Sequence, residues 1–353
     1  MKQVYIPGRG LACALGLDVA SSLKKLDQGG VATTPYFLPG AAGGNFPYHA
    51  IPYLQNDWNR RACDIVQRVV TEAMGRQSRD GVLFIATSSY DIGAEETGAT
   101  QRDYSAFEDK LRAWLKWSGP VYVINTACTS GLNALITAHA LLSAGDEEEV
   151  LVLGVELDNR LTLGGFAALQ LLSQDSSKPF GVHRDGLVLG EAVSAIRLST
   201  RETSPWKVLG GANVVDGSQP TGASASAVVS MYQRALASCG LTIDDIDLIK
   251  VQAAGSPGND AIEAQGLREA FNKMPALVSL KDAIGHTMGA SGVAEIALLS
   301  ACLEQGVCPK HADDIDQSLG VHLVEELPPT VRHLMATILG FGGSHATVVL
   351  QRA

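Results

Sequence analysis

Cys128 is the residue whose type and surroundings point most directly to chemistry. It sits in the turn Thr126-Ala-Cys-Thr-Ser-Gly131, between a short β-branched run over Val121–Ile124 and a helical pattern that starts at Leu132. The run reads as a buried strand, and Leu132, Leu135, Ile136, His139 and Leu142 fall on one helix face. A thiol in such a turn lies at a helix N-terminus, where unpaired N–H groups and the positive dipole end favour a thiolate. Gly131 and the small residues beside the thiol leave room for a substrate. The stretch supports two readings: a nucleophile, or one more small buried apolar residue, since free cysteine is among the most buried types.

The elements that must hold this turn form a repeat. In the first half, strands are expected over 4–6, 81–87, Val121–Ile124, 150–155 and 192–198. Helices are expected over 17–26, after an Asp57 cap with the stripe Ile65, Val66, Val69, Val70 and Met74, over 107–117 and over 132–144. Residues 29–55, rich in Gly, Pro and Tyr, read as a surface loop, and residues 88–119 as a loop running into the 107–117 helix. The second half follows the same order. Strands are expected at Trp206–Val215, 248–253, 276–280, His333–Leu339 and 346–350, with helices at 223–239 and 293–305. The halves, 1–200 and 201–353, meet near residues 200–205. Alternating strands and helices imply mainly parallel sheets covered by helices, and two copies imply two such units with a site between them.

Composition narrows the function classes. The chain has 353 residues, 46% hydrophobic and 18% charged, as a protein with a large core requires. A net charge of −10 argues against nonspecific binding of nucleic acid or anionic membrane. No apolar run approaches the roughly 20 residues needed to span a bilayer. The N-terminus lacks a signal-peptide core, and the six cysteines show no metal-ligand spacing, so reduced thiols in the cytoplasm and no bound metal are expected.

Four stretches in order carry a family resemblance. They are Thr126–Gly131 above; Lys178-Pro-Phe-Gly-Val-His-Arg-Asp-Gly-Leu-Val-Leu-Gly-Glu191; Lys281-Asp-Ala-Ile-Gly-His-Thr-Met-Gly-Ala-Ser-Gly292; and Leu339-Gly-Phe-Gly-Gly-Ser344. The chain resembles the β-ketoacyl synthases of the thiolase superfamily, over nearly its whole length, although it is shorter than usual in the first half. The resemblance implies a duplicated thiolase-like α/β fold, with two mainly parallel sheets in an αβαβα arrangement. It implies acyl and malonyl thioesters carried on the phosphopantetheine of acyl carrier protein, with no further cofactor.

By the same resemblance Cys128 is the nucleophile, and the N–H groups of Cys128 and Phe341 form its oxyanion hole. Gly340, Gly342 and Gly343 allow the close approach, and Phe341 doubles as a gate. His286 faces the enolate formed on malonyl decarboxylation, Lys281 holds the network around it, and Glu295 matches the family's supporting acid in the following helix. His139 and His345 are read as structural, and His183 and Arg184 as fixing a loop. A second cysteine would mark a thiolase working on coenzyme A, and Gly340 to His345 contains none. The main departure is Ala254, which occupies the position of the family's second active-site histidine. Loss of one such donor costs about 10²–10³ in rate by analogy with oxyanion holes, so acyl loading is expected to survive better than condensation.

Two readings follow. One is a partner subunit resembling a chain-length factor that pairs with a complete ketosynthase, as in type II polyketide systems including those making aryl polyene pigments. Retention of Cys128 distinguishes it from the usual chain-length factor. The other is a fully active decarboxylative homodimer. In both, Val121–Ile124 is expected to pair across a dimer, an apolar pocket below Cys128 to hold the acyl chain, and Lys110, Arg112 and Lys116 to offer carrier protein a basic patch.

Overall fold

A computed structural model describes residues 2–40, 43–98, 104–218, 222–311 and 313–352. Residues 41–42 of the expected loop and 99–103 of the expected loop-plus-helix stretch lie outside the described residues. The first half runs β1 (Val4–Cys13), α1 (Val19–Asp27), β2 (Thr34–Leu38), β3 (Gly44–His49), α2 (Trp58–Met74) and β4 (Val82–Ala86). It continues with α3 (Ile92–Glu96), α4 (Tyr104–Leu115), β5 (Val121–Ile124), α5 (Ser130–Ala144), β6 (Glu149–Glu156), α6 (Arg160–Ala168), β7 (Leu189–Gly190) and β8 (Ala192–Ser199). The second half comprises β9 (Trp206–Val215), α7 (Ala225–Cys239), β10 (Leu248–Lys250), α8 (Pro257–Ala270) and β11 (Ala276–Val278). It closes with α9 (Lys281–Ile284), α10 (Ser291–Gln305), β12 (His333–Leu339) and β13 (Ser344–Arg352).

The repeat is visible in the strand order, β11-β10-β12-β13-β9-β1-β8-β6-β4-β5. Read outward from the β1–β9 junction, each side carries five strands in equivalent positions. The junction is short, Val4 opposite Val208 and Tyr5 opposite Lys207, so the two expected sheets join at one edge. Pairing is parallel only in the outer three strands of each side, and antiparallel from β12 through β13, β9, β1 and β8 to β6. The sheets are therefore mixed rather than mainly parallel. The last strand of each half returns antiparallel, as β8 beside β6 and β13 beside β12.

Three apolar clusters make five layers. The α2–α4 cluster, with Val66, Val69, Leu111 and Leu115, covers one sheet face of the first half. The α7–α8 cluster, with Val228, Tyr232, Ala264 and Leu267, covers the second. Between the sheets lie α5 and α10, whose Leu132, Leu135, Val293, Ile296 and Leu299 pack against inward residues of both. A helix apolar all round belongs in such a central layer, and thirteen of the fifteen α10 residues, from Ser291 to Leu303, are buried.

Several elements differ from the sequence reading. The expected loop 29–55 contains the hairpin β2–β3, which adds to β7 through Tyr48 opposite Leu189 and His49 opposite Gly190. Pro35 and Pro47 face each other there, on a small sheet where a missing N–H is tolerated. The first strand extends through Gly8 and Gly10, because α2 packs directly on the backbone: a Cβ at Gly10 would lie 2.1 Å from the Val69 carbonyl oxygen. Strand β10 stops at Lys250 rather than 253, since the N–H groups of Gln252 and Ala253 turn to the Glu263 carboxylate, both at 2.7 Å.

The central helices approach through small residues. A Cβ on Gly292 would lie 2.7 Å from Leu132 side-chain carbons and 2.9 Å from the Leu132 nitrogen. Replacing Gly292 by alanine is expected to overpack this crossing and lower stability by about 1–3 kcal/mol, read as a reduced urea midpoint at unchanged slope.

Candidate active site

Two equivalent turns meet at the helix crossing. Thr126-Ala-Cys-Thr-Ser-Gly131 enters α5, and Thr287-Met-Gly-Ala-Ser-Gly292 enters α10. Both place their second residue in the left-handed region, Ala127 at φ +53° and Met288 at φ +46°, a conformation that costs non-glycine residues energy and gathers at functional sites. Ser130 Oγ accepts from the Thr126 N–H at 2.9 Å and donates to the Ala127 carbonyl at 2.6 Å, which fixes the first turn. Thr129 Oγ1 lies 2.8 Å from Ser344 Oγ and ties this turn to the glycine-rich loop.

The structure gathers most of the expected residues. Cys128 Sγ lies 3.1 Å from His286 Nε2. On the other side of the ring, His286 Nδ1 lies 3.1 Å from Ser291 Oγ and 3.3 Å from Lys281 Nζ. Lys281 donates to one oxygen of Glu295. The N–H groups of Phe341 and of Cys128 itself favour the ionised thiol and oppose the effect of its burial. Gly340 brings that loop close, since a Cβ there would be 3.5 Å from the Cys128 Cβ, and Gly342 and Gly343 adopt φ +76° and +74°. The Phe341 ring stacks on Phe166 of α6, centroids 5.0 Å apart. Lys281 begins the short helix α9.

Ala254 belongs to a different environment. It is buried among Phe166, Leu172, Leu187 and Leu189, with Phe341 packed on the cluster. Its N–H and that of Gly255 donate to the Asp260 carboxylate at 3.2 and 3.1 Å. Burial pushes Asp260 up to about 6 and Glu263 up to about 7. These carboxylates hold the turn by its backbone. Cys128 itself belongs to the central apolar cluster with Leu132, Leu135 and Val293, and is 1% exposed.

Three contributors were missed. Lys250, inside an apolar strand, is 1% exposed and donates to the second oxygen of Glu295 and to the Thr337 carbonyl at 2.7 Å. A lysine in a run otherwise apolar was the available signal. Glu156, at the end of β6, accepts from the N–H and Oγ of Ser88, from Ser89 Oγ and from the Gly289 N–H at 3.2 Å. Ser291, the third, looks like an ordinary helix-start serine in sequence.

Electrostatics overturn one expectation. Burial pushes the Cys128 thiol up to about 11, although the Phe341 N–H and the Lys281 ammonium pull the other way. Burial first, then Lys281 and Lys250, hold His286 well below the ordinary histidine value. The resting pair is thus a neutral thiol and a neutral imidazole, with the helix end outweighed by desolvation. Elsewhere, Lys110 and Arg112 of the expected docking patch are paired with Asp91 at 2.5 Å and Glu108 at 3.4 Å. His183 and Arg184 fix a loop through Asp313 and Asp316. His345 is fully buried, and its pKa is lowered, mainly by burial.

A five-layered, internally repeated α/β fold with a cysteine at the start of a central helix defines the thiolase-like class. Two family models match in tandem, "Beta-ketoacyl synthase, N-terminal domain" over residues 87–204 and "Beta-ketoacyl synthase, C-terminal domain" over 208–313, together more than half of the chain. The chain belongs to the β-ketoacyl synthase family. It is 28% identical over 263 residues to the mitochondrial 3-oxoacyl-[acyl-carrier-protein] synthase of Arabidopsis thaliana, covering 66% of this chain and 56% of the relative. The matches span about half to just under two thirds of the length of several such synthases.

Among solved structures it shares its fold with the ketosynthase ApeO in complex with its chain length factor ApeC from Xenorhabdus doucetiae. The TM-score is 0.84 at 23% identity, covering 100% of this chain and 98% of that one. It also matches the AntDE:AntF complex, a type II acyl-carrier protein with its ketosynthase bound to the hexaketide, with TM-score 0.84, 18% identity and full coverage of both chains. Among the described residues no helix is long and apolar enough to cross a membrane.

A thiol held near 11 leaves on the order of one thiolate in 10⁴ at pH 7. Iodoacetamide labelling of the Cys128 peptide is therefore expected to accelerate about tenfold per pH unit between about pH 7 and 10. An early plateau near neutral pH would show an activated thiolate instead.

Proposed function

We propose that this chain handles acyl and malonyl thioesters carried on acyl carrier protein, in fatty acid or polyketide biosynthesis, as the partner subunit of a complete ketosynthase. In this role it loads an acyl group and condenses weakly. The observation that carries this reading is Cys128 Sγ at 3.1 Å from His286 Nε2, with Ala254 where the resemblance calls for a second histidine. In loading, the Cys128 sulfur forms a bond to the thioester carbonyl carbon, the carbonyl–pantetheine C–S bond breaks, and the cysteine proton ends on the departing pantetheine thiol. In this reading the Cys128 and Phe341 N–H groups, which the resemblance gives as the oxyanion hole, donate to the carbonyl oxygen as it becomes negative.

Condensation asks more. Loss of CO₂ from the malonyl group leaves an enolate, whose oxygen needs donors before its carbon attacks the Cys128 thioester. His286 supplies one, and the apolar surroundings of Ala254 supply none. Phosphopantetheine-borne substrates require no other cofactor. The open edge of β5, at the end of the strand order with Tyr122 half-exposed, supports pairing with a second subunit. A reducing cytoplasm fits six free thiols.

Intact-mass spectrometry after incubation with acyl-carrier protein tests the assignment. Wild type is expected to gain the acyl mass and Cys128→Ala to gain nothing. Malonyl-carrier protein is expected to leave most of the adduct in place unless a complete ketosynthase is added. Rapid loss of the adduct to a β-ketoacyl product from this chain alone would establish the active homodimer instead.

A further inference from the structure

At the Lys281–His286 end of the site two buried lysines share one carboxylate. Glu295, fully buried on α10, is bridged from both sides: Lys281 takes one oxygen and Lys250 the other. Lys250 reaches in from β10 and is anchored by the Thr337 carbonyl at 2.7 Å. Two buried ammonium groups on one carboxylate is an expensive arrangement, because each unpaired fraction of charge is desolvated. Such a cost points to a role in what the pair contacts.

Lys281 has three protons and three partners: Glu295, Ser291 Oγ at 3.3 Å and His286 Nδ1 at 3.3 Å. With Lys250 absent, the second Glu295 oxygen would be free, and the Lys281 ammonium would move between the two oxygens and away from the ring. We propose that Lys250 is a positioning residue. By occupying half of Glu295 it holds Lys281 against Nδ1 of His286, which keeps the imidazole proton on Nε2, facing Cys128.

An ammonium has no lone pair, so Nδ1 beside it must accept, and the proton must then sit on the other nitrogen. The groups around this imidazole are Cys128 ahead of α5, Glu156 of β6, Lys281 of α9, Ser291 and Glu295 of α10, and Lys250 of β10, and Lys250 in turn feels the Glu263 carboxylate of α8, itself pushed up to about 7 by burial. His49 of β3 lies behind Gly285, where a Cβ would come 2.9 Å from its ring. His49 is held neutral by burial, at about 4. After burial, Lys281 and Lys250 oppose protonation of His286, in line with its depressed pKa. Lys250 itself is pushed down to about 8, chiefly by burial. The device therefore switches off when pH rises past that value. The inference rests on the proposed function only for its consequence: a fixed Nε2–H is the donor that meets negative charge on the sulfur or the enolate oxygen.

The test uses full-length protein with nitrogen-15-labelled histidine, its ring signals followed by two-bond proton–nitrogen correlation across about pH 5.5 to 9.5, with His286→Gln giving the assignment. In wild type, His286 is expected to be a single neutral tautomer protonated on Nε2, with its signals inflecting near pH 8 as Lys250 loses its proton. Lys250→Arg keeps the charge and should abolish that inflection. Lys250→Met should show the high-pH pattern throughout, as a mixture of tautomers with a raised His286 pKa.

A wild-type ring protonated on Nδ1, or an inflection that survives in Lys250→Arg, overturns the proposal. So does a Lys250→Met spectrum that matches wild type at low pH. Should Lys250→Met fail to fold, the wild-type and Lys250→Arg pair still decides. These spectra are independent of acyl loading: a Cys128 that takes no acyl group sinks the proposed function and leaves the tautomer result standing.

Discussion

The close crossing of two buried helices at their N-terminal ends is the constraint on which this molecule depends. Helices α5 and α10 belong to different halves of the chain; α10 is buried on nearly every face, and α5 packs its Leu132, Leu135 and Leu142 face into the same core. Their first turns meet at Gly131 and Gly292, where a Cβ would be tight at the first and would clash at the second. That contact brings residues 158 positions apart, Cys128 and His286, within 3.1 Å. The sheets on either side add rigidity, since each helix packs on strands of both, and a preorganised pair of this kind needs such support to stay at contact distance.

Burial sets the chemistry as firmly as geometry does. The same dry layer that fixes the thiol and the imidazole raises the first and depresses the second, so neither is ionised at rest. Nearby, Glu156 accepts from five donors and Glu295 bridges two lysines. Charge is tolerated because each carboxylate is saturated with partners. Polar density is concentrated around the two turns, whereas the Ala254 side of the site is aliphatic and aromatic. The site is thus polar at one end and apolar at the other, which suits holding an acyl group better than stabilising an enolate.

Much of this was readable from residues alone. Strand β5 falls at its expected boundaries because a β-branched run ended by turn residues gives little latitude, and β9 does so because it repeats the first strand with its glycines. The Asp57 cap accepts from the Arg60 N–H at 2.8 Å, as its position before a helical stripe implies. The hairpin β2–β3 escaped because its prolines and glycines imitate a loop and its stability comes from β7, some 140 residues away. Helix α8 was missed although Ser256 and Pro257 mark a helix start, since a buried Asp260 and Glu263 weaken its apolar stripe. The roles of Lys250 and Glu156 were hidden for a different reason. A charged residue in a strand gains meaning from its partners, and those partners lie on other elements.

The two helix-entry turns, so alike in sequence and backbone, are unequal in the room they leave. Where the first turn carries Cys128, the second carries Gly289, and a Cβ at that position would lie 2.8 Å from both a Glu156 oxygen and the Ser88 nitrogen. Glu156 therefore does more than accept hydrogen bonds: it occupies the volume that a side chain at 289 would need. A duplicated chain carries two candidate cradles for a nucleophile, and one carboxylate closes the second. The repeat is symmetric in its backbone and directional in its chemistry, so that one half presents the reacting sulfur and the other can only serve it.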